Sequence, residues 1–379
     1  MKYSFFRGEK IARLGFGTLR LPEGEEGGLQ EKDVIQMVDR AIEGGINYFD
    51  TAYSYGRGEA EKILGKALAR HSRGTYYLAD KMPTWKCRSV SDVLKIFQEQ
   101  LDKCGAEWFD FYLIHSVKDH RYQDIERLHL MEFMKEERRK GRIQYLGASC
   151  HCSPGTLRKL LDVYGEDLDF IQLQLNYMDW VAFQGKQLYE IAKEFEKPII
   201  VMEPLRGGML AYPVSRKARE KLDAVGTKPS YVSMAMRFVD ELEQVLVTLS
   251  GVSDINQLKE NLQILEQGKL TQEEKKAIFA AAEQMEKEIL VPCTSCEYCA
   301  GCPKKIPISA IFRLYNEAAA MGFHCPWTSL SAQYRKLEKN GTDCIACGKC
   351  QRHCPQDIPI IEELRRIDRK YIELEKAGE

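Results

Sequence analysis

The sequence predicts an α/β protein in which a closed (β/α)₈ barrel is followed by a small, mostly helical domain rich in cysteine. Two observations carry this prediction. Short apolar runs alternate eight times with amphipathic segments of helical length over the first two thirds of the chain. The composition then changes, and eight of the thirteen cysteines fall in two tight runs. We therefore expect two domains, residues 1–290 and residues 291–379.

The bulk composition is ordinary for a soluble globular protein. Apolar residues make up 44% of the 379 residues, charged residues make up 29%, and the formal net charge is −1. This balance gives no long-range attraction to nucleic acid or to an acidic membrane surface, so we expect neither as a partner. The sequence shows neither a signal peptide nor a stretch of transmembrane length. We expect a cytoplasmic protein, in which crowded cysteines indicate metal rather than disulfides.

Each apolar run predicts a short buried strand. The eight predicted strands are 12–18, 46–50, 76–81, 109–115, 143–149, 170–177, 198–204 and 244–251. The clearest predicted helices are 33–45, 60–71 and 91–105, the last with Ser91 as its N-cap. Strand–helix alternation indicates a parallel sheet, and eight units of this length favour a TIM barrel. A doubly wound open sheet is the competitor, but no G-x-G-x-x-G follows the first strand.

Ionisable side chains stand at the carboxyl ends of three successive predicted strands. Asp50, Lys81 and His115 close these strands, and Tyr55 follows Asp50 in the same loop. Strand ends of this kind meet at one face of a (β/α)₈ barrel, where active sites form. A tyrosine can protonate the oxygen of a carbonyl that receives hydride, and a nearby ammonium lowers its pKa from about 10. The alternative is a buried ion pair between Asp50 and Lys81 beside a core histidine.

These segments resemble the catalytic segments of the aldo/keto reductase superfamily. The similar stretches are NYFDTAYSYG (47–56), LADK (78–81) and DFYLIH (110–115), and the likeness covers roughly residues 10–265. It implies a nicotinamide-dependent oxidoreductase that reduces a small carbonyl compound or oxidises an alcohol.

The resemblance also implies a role for each ionisable residue. Tyr55 would be the general acid and Lys81 the group that tunes it. Asp50 would support Lys81, and His115 would orient the carbonyl.

The same resemblance implies the residues that would contact the cofactor. They are Gly17, Thr18, Asp50, Ser149, Gln174, Met202, Glu203, Pro204, Leu205, Arg206, Gly207, Ser253, Gln257 and Asn261. NADP(H) is the first expectation, but NAD(H) stays open because Arg206 is the only basic residue that the sequence puts near a 2′-phosphate. The helix after Ser253 would present its N-terminus to the phosphates, or Ser253 or Asp254 is an ordinary N-cap.

Two positions depart from the family's pattern. Cys150 stands where many members have Asn, and Met202 stands where many have an aromatic residue under the nicotinamide. Methionine can pack on a flat ring, although Met202 is equally acceptable as a core residue.

The cysteine runs follow a helix that begins with a capping box of Thr271 and Glu274. Both runs end in Cys-Pro, and their members are Cys293, Cys296, Cys299 and Cys302, then Cys344, Cys347, Cys350 and Cys354. The second run has the spacing C-x₂-C-x₂-C-x₃-C-P of bacterial 4Fe–4S ferredoxins, and the first differs by one residue. A zinc site built from C-x₂-C pairs is the rival prediction.

The resemblance to two-cluster ferredoxins implies that the last cysteine of each run binds the other cluster. Cys354 would then complete the first set and Cys302 the second. One intact cluster beside a degenerate site is the alternative, and Cys325 is an extra thiol between the runs. The whole chain resembles a subgroup of bacterial and archaeal aldo/keto reductases with a ferredoxin-like iron–sulfur domain.

Three functions fit this sequence. In the first, the barrel is a carbonyl reductase and the clusters staple a C-terminal cap over its pocket. In the second, the clusters exchange electrons with a ferredoxin-like partner, although nothing clearly binds a flavin that would split a hydride into single electrons. In the third, the protein senses nicotinamide and redox state without turnover, which would leave Tyr55 beside Lys81 without a task. We favour the first.

Overall fold

The structure is a computed structural model, and it describes residues 1–24, 28–213, 215–323 and 330–376. Cys325 lies outside the described residues. The strands are β1 Tyr3–Phe6, β2 Glu9–Ala12, β3 Leu14–Gly17, β4 Tyr48–Asp50, β5 Tyr77–Met82, β6 Phe109–Val117, β7 Ile143–Cys150, β8 Phe170–Gln174, β9 Ile199–Met202 and β10 Val245–Ser250.

The described helices alternate with these strands and then continue alone. They are α1 Glu31–Glu43, α2 Ala60–Leu68, α3 Val90–Cys104, α4 Asp124–Arg127, α5 Leu130–Arg139, α6 Pro154–Tyr164, α7 Tyr177–Ala182, α8 Gly185–Glu194, α9 Arg216–Asp223, α10 Tyr231–Asp240, α11 Ile255–Ile264, α12 Gln272–Glu286, α13 Ile308–Met321, α14 Leu330–Arg335, α15 Lys349–His353 and α16 Ile360–Lys376. No helix in the described ranges is long and apolar enough to span a membrane.

Strands β3 to β10 form a closed barrel. They pair in parallel in chain order, and β10 closes the ring against β3. Each predicted strand overlaps one of these eight strands, so the predicted (β/α)₈ barrel is confirmed and the open sheet is wrong. The strands are short and almost wholly buried, which explains why they appear in the sequence as continuous apolar runs.

The hairpin of β1 and β2 packs on the residues that begin the barrel strands. The Phe6 ring lies 4.9 Å from Tyr145 and 6.1 Å from Phe111, measured between ring centroids, and Ile11 is fully buried in the same cluster. This apolar cluster fills the end of the barrel where the strands start. The ionisable residues stand at the other end.

The cap of α3 corrects one prediction. The helix begins at Val90, so Ser91 lies inside it, and Ser89 is the N-cap. Ser89 Oγ accepts from the backbone N–H of Asp92, and the Asp92 carboxylate accepts from the backbone N–H of Ser89 at 3.0 Å. A serine followed three residues later by an acid satisfies two otherwise unpaired N–H groups, which selects Ser89 over Ser91. The capping box of Thr271 and Glu274 at α12 is present as predicted.

Contacts divide the chain into two compact units. The first comprises Met1–Pro204 and Ser233–Leu270, and the second comprises Leu205–Val232 and Thr271–Glu379. The second unit contains α9, α12 and the four helices from α13 to α16, and its core includes Phe312, Tyr334 and Leu364. The boundary predicted near residue 290 falls inside this unit, because α12 packs on α9.

Candidate functional site

A buried ion pair lies at the carboxyl ends of β4 and β5. Lys81 Nζ donates to Asp50 Oδ1 at 2.6 Å and to the carbonyl oxygen of Thr51 at 2.7 Å. Both charged side chains are almost completely buried. Burial raises the pKa of Asp50, and the Lys81 charge works against that rise. The pair therefore holds an ammonium group at a fixed place in an environment of low dielectric.

The Tyr55 ring lies beside this ammonium, and His115 and Trp85 pack next to it in turn. Lys81 Nζ lies 5.0 Å from the centroid of the Tyr55 ring. The Tyr55 and His115 rings are 6.0 Å apart and nearly perpendicular, and the Trp85 ring lies 4.9 Å from His115. The structure thus brings together the four residues that the sequence put at neighbouring strand ends, and it adds Trp85.

His115 is held in its neutral form. Burial, the Lys81 charge and the nearby His151 and Arg121 hold the pKa of His115 well below its usual value of 6.5. Its Nδ1 is buried and has no hydrogen-bond partner in the described structure. Because a buried polar atom without a partner is costly, a histidine in this state is a candidate to face a ligand.

Two glutamines of β8 have different partners. Gln172 lies opposite Ser149 in the register of β7 and β8 and donates to Asp50 Oδ2 at 3.2 Å. Gln174, the glutamine singled out from the sequence, donates to Asp179 Oδ2 at 2.7 Å. Sequence reasoning therefore missed Gln172, although its place on an inward-facing strand position was visible.

Ser149 and Met202 lie together. Ser149 Oγ is 3.8 Å from the sulfur of Met202, and Ser149 is buried. A hydroxyl beside a polarizable thioether forms a surface with one polar and one apolar part.

The loop after β3 is tied to the ionisable site. Gly17 pairs with Asp50 in the register of β3 and β4. Thr18 Oγ1 donates to the Asp50 carbonyl oxygen at 3.0 Å and is 2.9 Å from Thr51 Oγ1. These bonds fix the backbone that carries the Asp50 carboxylate.

The N-terminus of α11 is capped by Asp254, whose carboxylate accepts from the backbone N–H groups of Asn256 and Gln257. Ser253 and Gln257 bind each other, with Ser253 N–H donating to Gln257 Oε1 at 3.1 Å. The predicted contact Asn261 is instead buried and donates to Ser250 Oγ at 2.7 Å. The sequence offered Ser253 and Asp254 equally as the N-cap, and the structure uses Asp254.

Arg20 is a second basic residue near the loop between β10 and α11, and the sequence did not reveal it. Its side-chain carbons lie 3.7–3.8 Å from the point where a side chain on Gly251 would begin. Its guanidinium is 3.5 Å from Glu203 Oε1, and Glu203 has a left-handed backbone with φ of 56°. A non-glycine residue in this conformation is strained, and such strain is concentrated at functional sites.

Three predicted cofactor contacts, Leu205, Arg206 and Gly207, belong to the second unit, whereas Pro204 ends the first segment of the barrel unit. Arg206 is buried, and its charge affects the pKa of the Cys293 thiol. Burial raises that pKa, and the Arg206 charge opposes the rise.

The eight cysteines of the two runs line two separate cavities in the second unit. The first cavity is lined by Cys293, Cys296, Cys299 and Cys354. The second cavity is lined by Cys302, Cys344, Cys347 and Cys350. The last cysteine of each run therefore lines the cavity of the other run.

Within the described residues, no group of three or more His, Cys, Asp or Glu side chains is arranged to hold a metal ion.

Comparison with known proteins identifies the barrel. The profile of the aldo/keto reductase family matches residues 13–283, which is most of the chain and ends before the first cysteine run. The uncharacterized oxidoreductase YqkF of Bacillus subtilis is 26% identical over 303 residues, which cover 72% of this chain and 94% of that protein. The NADH-specific methylglyoxal reductase of Escherichia coli is 25% identical over 227 residues, which cover 54% of this chain and 67% of that protein.

A solved structure shares the barrel fold. The holo form of aldo-keto reductase AKR11C1 from Bacillus halodurans matches with a TM-score of 0.62 and 23% identity, and it covers 74% of this chain and 96% of that one. With the family match over residues 13–283, the chain belongs to the aldo/keto reductase family and is an oxidoreductase.

Proposed function

We propose that the barrel reduces the carbonyl group of a small molecule with hydride from NAD(P)H, or runs the reverse oxidation, with Tyr55 as general acid and base. One observation carries the proposal: a buried Lys81 ammonium, held by Asp50 at 2.6 Å, lies 5.0 Å from the Tyr55 ring. A phenol is a weak acid at neutral pH, so its use as a proton donor needs a nearby positive charge.

The proton moves from the Tyr55 hydroxyl to the carbonyl oxygen as hydride reaches the carbon. The phenolate that remains is stabilised by Lys81. The electrostatic attraction between the two charges is strong at this distance because water is excluded. Asp50 fixes the position of the Lys81 ammonium through the 2.6 Å hydrogen bond. In the reverse direction the phenolate takes the proton from the alcohol.

His115 positions the carbonyl oxygen as a neutral donor. A second full positive charge next to Lys81 would be unfavourable, and the lowered pKa of His115 avoids it. Trp85 packs against the His115 ring and helps to exclude water.

The residues at the barrel's carboxyl end fit a nicotinamide cofactor, which would supply or accept the hydride. Ser149 and Gln174, with Gln172 beside them, offer polar groups to a carboxamide, and Met202 offers an apolar surface. The N-terminus of α11 suits phosphates, with Ser253 and Gln257 next to it.

Arg20 adds a positive charge on that side, which supports NADP(H) as the first choice. The relative named as NADH-specific keeps NAD(H) in the proposal.

We further propose that each cysteine cavity holds a 4Fe–4S cluster. The support is the donor set: four thiols line each cavity, and the runs exchange their last cysteines as two-cluster ferredoxins do. A cluster binds each cysteine through a different iron atom, so its ligands surround a volume. The clusters would supply one-electron chemistry or hold the ferredoxin-like unit together; we favour the second role. Electron exchange with a ferredoxin-like partner is the second candidate, and the exposure of Cys347 favours it.

The test of the catalytic half is the Tyr55→Phe variant, with Tyr53→Phe as its control. Tyr53 lies in the same loop, but its hydroxyl donates to Glu99 and its ring faces Lys103. We expect Tyr55→Phe to lower kcat/KM for a panel of aldehydes by about 10²-fold or more while the cofactor Kd changes little. Tyr53→Phe should keep its activity. Unchanged turnover in Tyr55→Phe would contradict the proposed role.

The test of the cluster half is anaerobic purification followed by iron and sulfide analysis. Two clusters predict about eight iron atoms per chain, whereas one intact cluster predicts about four. Zinc in place of iron would contradict the assignment.

A further inference from the structure

We propose that the second cavity opens onto a docking surface for a small acidic protein that carries one electron at a time. The inference rests on the proposed clusters: both would hold the second unit together, and the one in the second cavity would in addition exchange electrons with a partner. The docking surface consists of exposed Ile345 and Cys347 with three basic neighbours, Lys304, Lys349 and Arg352.

The two cavities differ in their exposure. Cys347 is the only exposed thiol among the eight that line the two cavities. Ile345, which lines the second cavity, has 57% of its surface exposed. Because electron transfer between proteins requires a close approach of the two centres, the second cavity is the better contact point.

The charges around the second cavity are mainly positive. Lys304 lines the cavity and is exposed. Lys349 Nζ lies 3.8 Å from the position that a Cβ atom on Gly301 would take, and Gly301 is the residue before Cys302 of the second cavity. Arg352 donates to the Cys347 carbonyl oxygen at 3.3 Å. The nearby Asp343 carboxylate is bound by Lys339 at 3.1 Å, so its charge is partly compensated.

The lining of the first cavity carries no exposed positive charge. It includes the carboxylate of Glu297 and contains no lysine or arginine, and Arg206, whose charge acts on Cys293, is buried. A positive rim is therefore a local feature of the second cavity, in a chain whose net charge is −1.

An apolar centre within a charged rim is typical of a transient electron-transfer interface. Such interfaces are small, and opposite charges on the two proteins raise their association rate. The positive rim selects an acidic partner. In the encounter the reduced carrier loses one electron and the cluster gains it, and no proton is needed for balance.

A rival explanation is that the lysines only balance the negative charge of the cluster. Charge reversal would then change the midpoint potential of the cluster without a salt-dependent change in the association rate. The two effects are separable because screening acts on charges between proteins at long range and much less on a cluster a few ångströms away.

The experiment uses the full chain, purified without oxygen, with iron and sulfide measured in every sample. Fully reduced flavodoxin is the probe, since it is acidic and its flavin spectrum differs from that of a cluster. Stopped-flow spectroscopy gives the second-order rate of cluster reduction at several ionic strengths. The variant is Lys304→Glu/Lys349→Glu, and the control is Lys217→Glu/Lys276→Glu, which changes two exposed lysines of α9 and α12 and alters net charge equally.

We expect the variant to react about tenfold or more slowly than the wild type at low ionic strength, and the difference to shrink as salt is added. The control should stay within about twofold of the wild type.

Three results would overturn the proposal. They are equal rates in the variant and the wild type, a rate change that follows the midpoint potential and ignores salt, and clusters that dithionite reduces but flavodoxin does not. Samples without iron and sulfide would instead refute the clusters themselves, so the two failures are distinguishable.

Discussion

Replacing Lys81 with methionine should show what the loss of one partner of the buried ion pair costs in the free energy of unfolding. The Asp50 carboxylate would lose its 2.6 Å partner and keep only the 3.2 Å bond from Gln172. Burial already raises the pKa of Asp50 against the opposing effect of Lys81, so removing Lys81 raises it further. We expect Asp50 to take up a proton in the folded variant near neutral pH.

The magnitude follows from two limits. Breaking a buried ion pair on one side costs about 3–5 kcal/mol of the free energy of unfolding. Protonation limits this cost, because neutralising a carboxyl whose unfolded pKa is about 3.9 takes about 1.36 kcal/mol per pH unit above that value, or about 4 kcal/mol at pH 7. Since the folded variant binds a proton that the unfolded chain does not, its stability should rise as the pH falls. Between pH 7 and pH 5 the gain should approach about 2.7 kcal/mol relative to the wild type.

The assay is urea unfolding at several pH values, followed by tryptophan fluorescence, because Trp85, Trp108 and Trp180 all lie in the barrel unit. The matched control is the double variant Asp50→Asn/Lys81→Met, which has no carboxyl at position 50 and should lack the extra pH dependence. Both variants should lose carbonyl reduction, since neither has an ammonium beside Tyr55. A Lys81→Met profile parallel to that of the double variant would refute the reasoning.

Three further predictions follow from the described contacts. Arg20→Gln should raise the Kd of NADPH about tenfold and that of NADH less, because a charge–phosphate contact is worth about 1–2 kcal/mol; equal binding of NADPH would remove Arg20 from the cofactor site. If the cavities define the clusters, Cys354→Ala combined with Cys293→Ala should lose no more iron than Cys354→Ala alone, whereas Cys354→Ala with Cys344→Ala should lose both clusters. Below pH 6.5 His115 binds a proton in the unfolded chain but not in the folded protein. The free energy of unfolding should therefore fall by up to about 1.4 kcal/mol for each pH unit by which the pH is lowered. His115→Gln should reduce the slope of the free energy of unfolding against pH by that amount.

The barrel could be predicted because its signal is local. Each barrel strand lies in a short, mostly buried run of residues, and the run is visible without knowledge of its neighbours. The same holds for the capping box at Thr271. The error at Ser91 was also local. Asp92, whose carboxylate accepts from the backbone N–H of the N-cap, stands three residues after Ser89 and so identifies Ser89 as the cap.

The parts that escaped prediction depend on contacts between distant segments. Gln172 and Gln174 lie on the same side of one strand, and only the pairing of Gln172 with Ser149 on the neighbouring strand decides which one reaches Asp50. Arg20 meets Gly251 because the last barrel strand closes on the first, a contact between residues far apart in the sequence. Strand alternation marks both glutamines as facing the same way but cannot choose between them, and Arg20 carries no local pattern that would reveal it.

The placement of the two kinds of chemistry bears on what the clusters do. The ion pair, Tyr55 and His115 all lie in the first unit, and all eight cysteines of the two runs lie in the second. Hydride carries two electrons and needs only a proton from Tyr55 to complete carbonyl reduction, so that reaction balances without a one-electron centre. We therefore expect NADPH to leave the cluster spectrum unchanged while it reduces an aldehyde. Bleaching of the clusters by NADPH alone would show that the two units exchange electrons and would move the electron-transfer function ahead of the structural one.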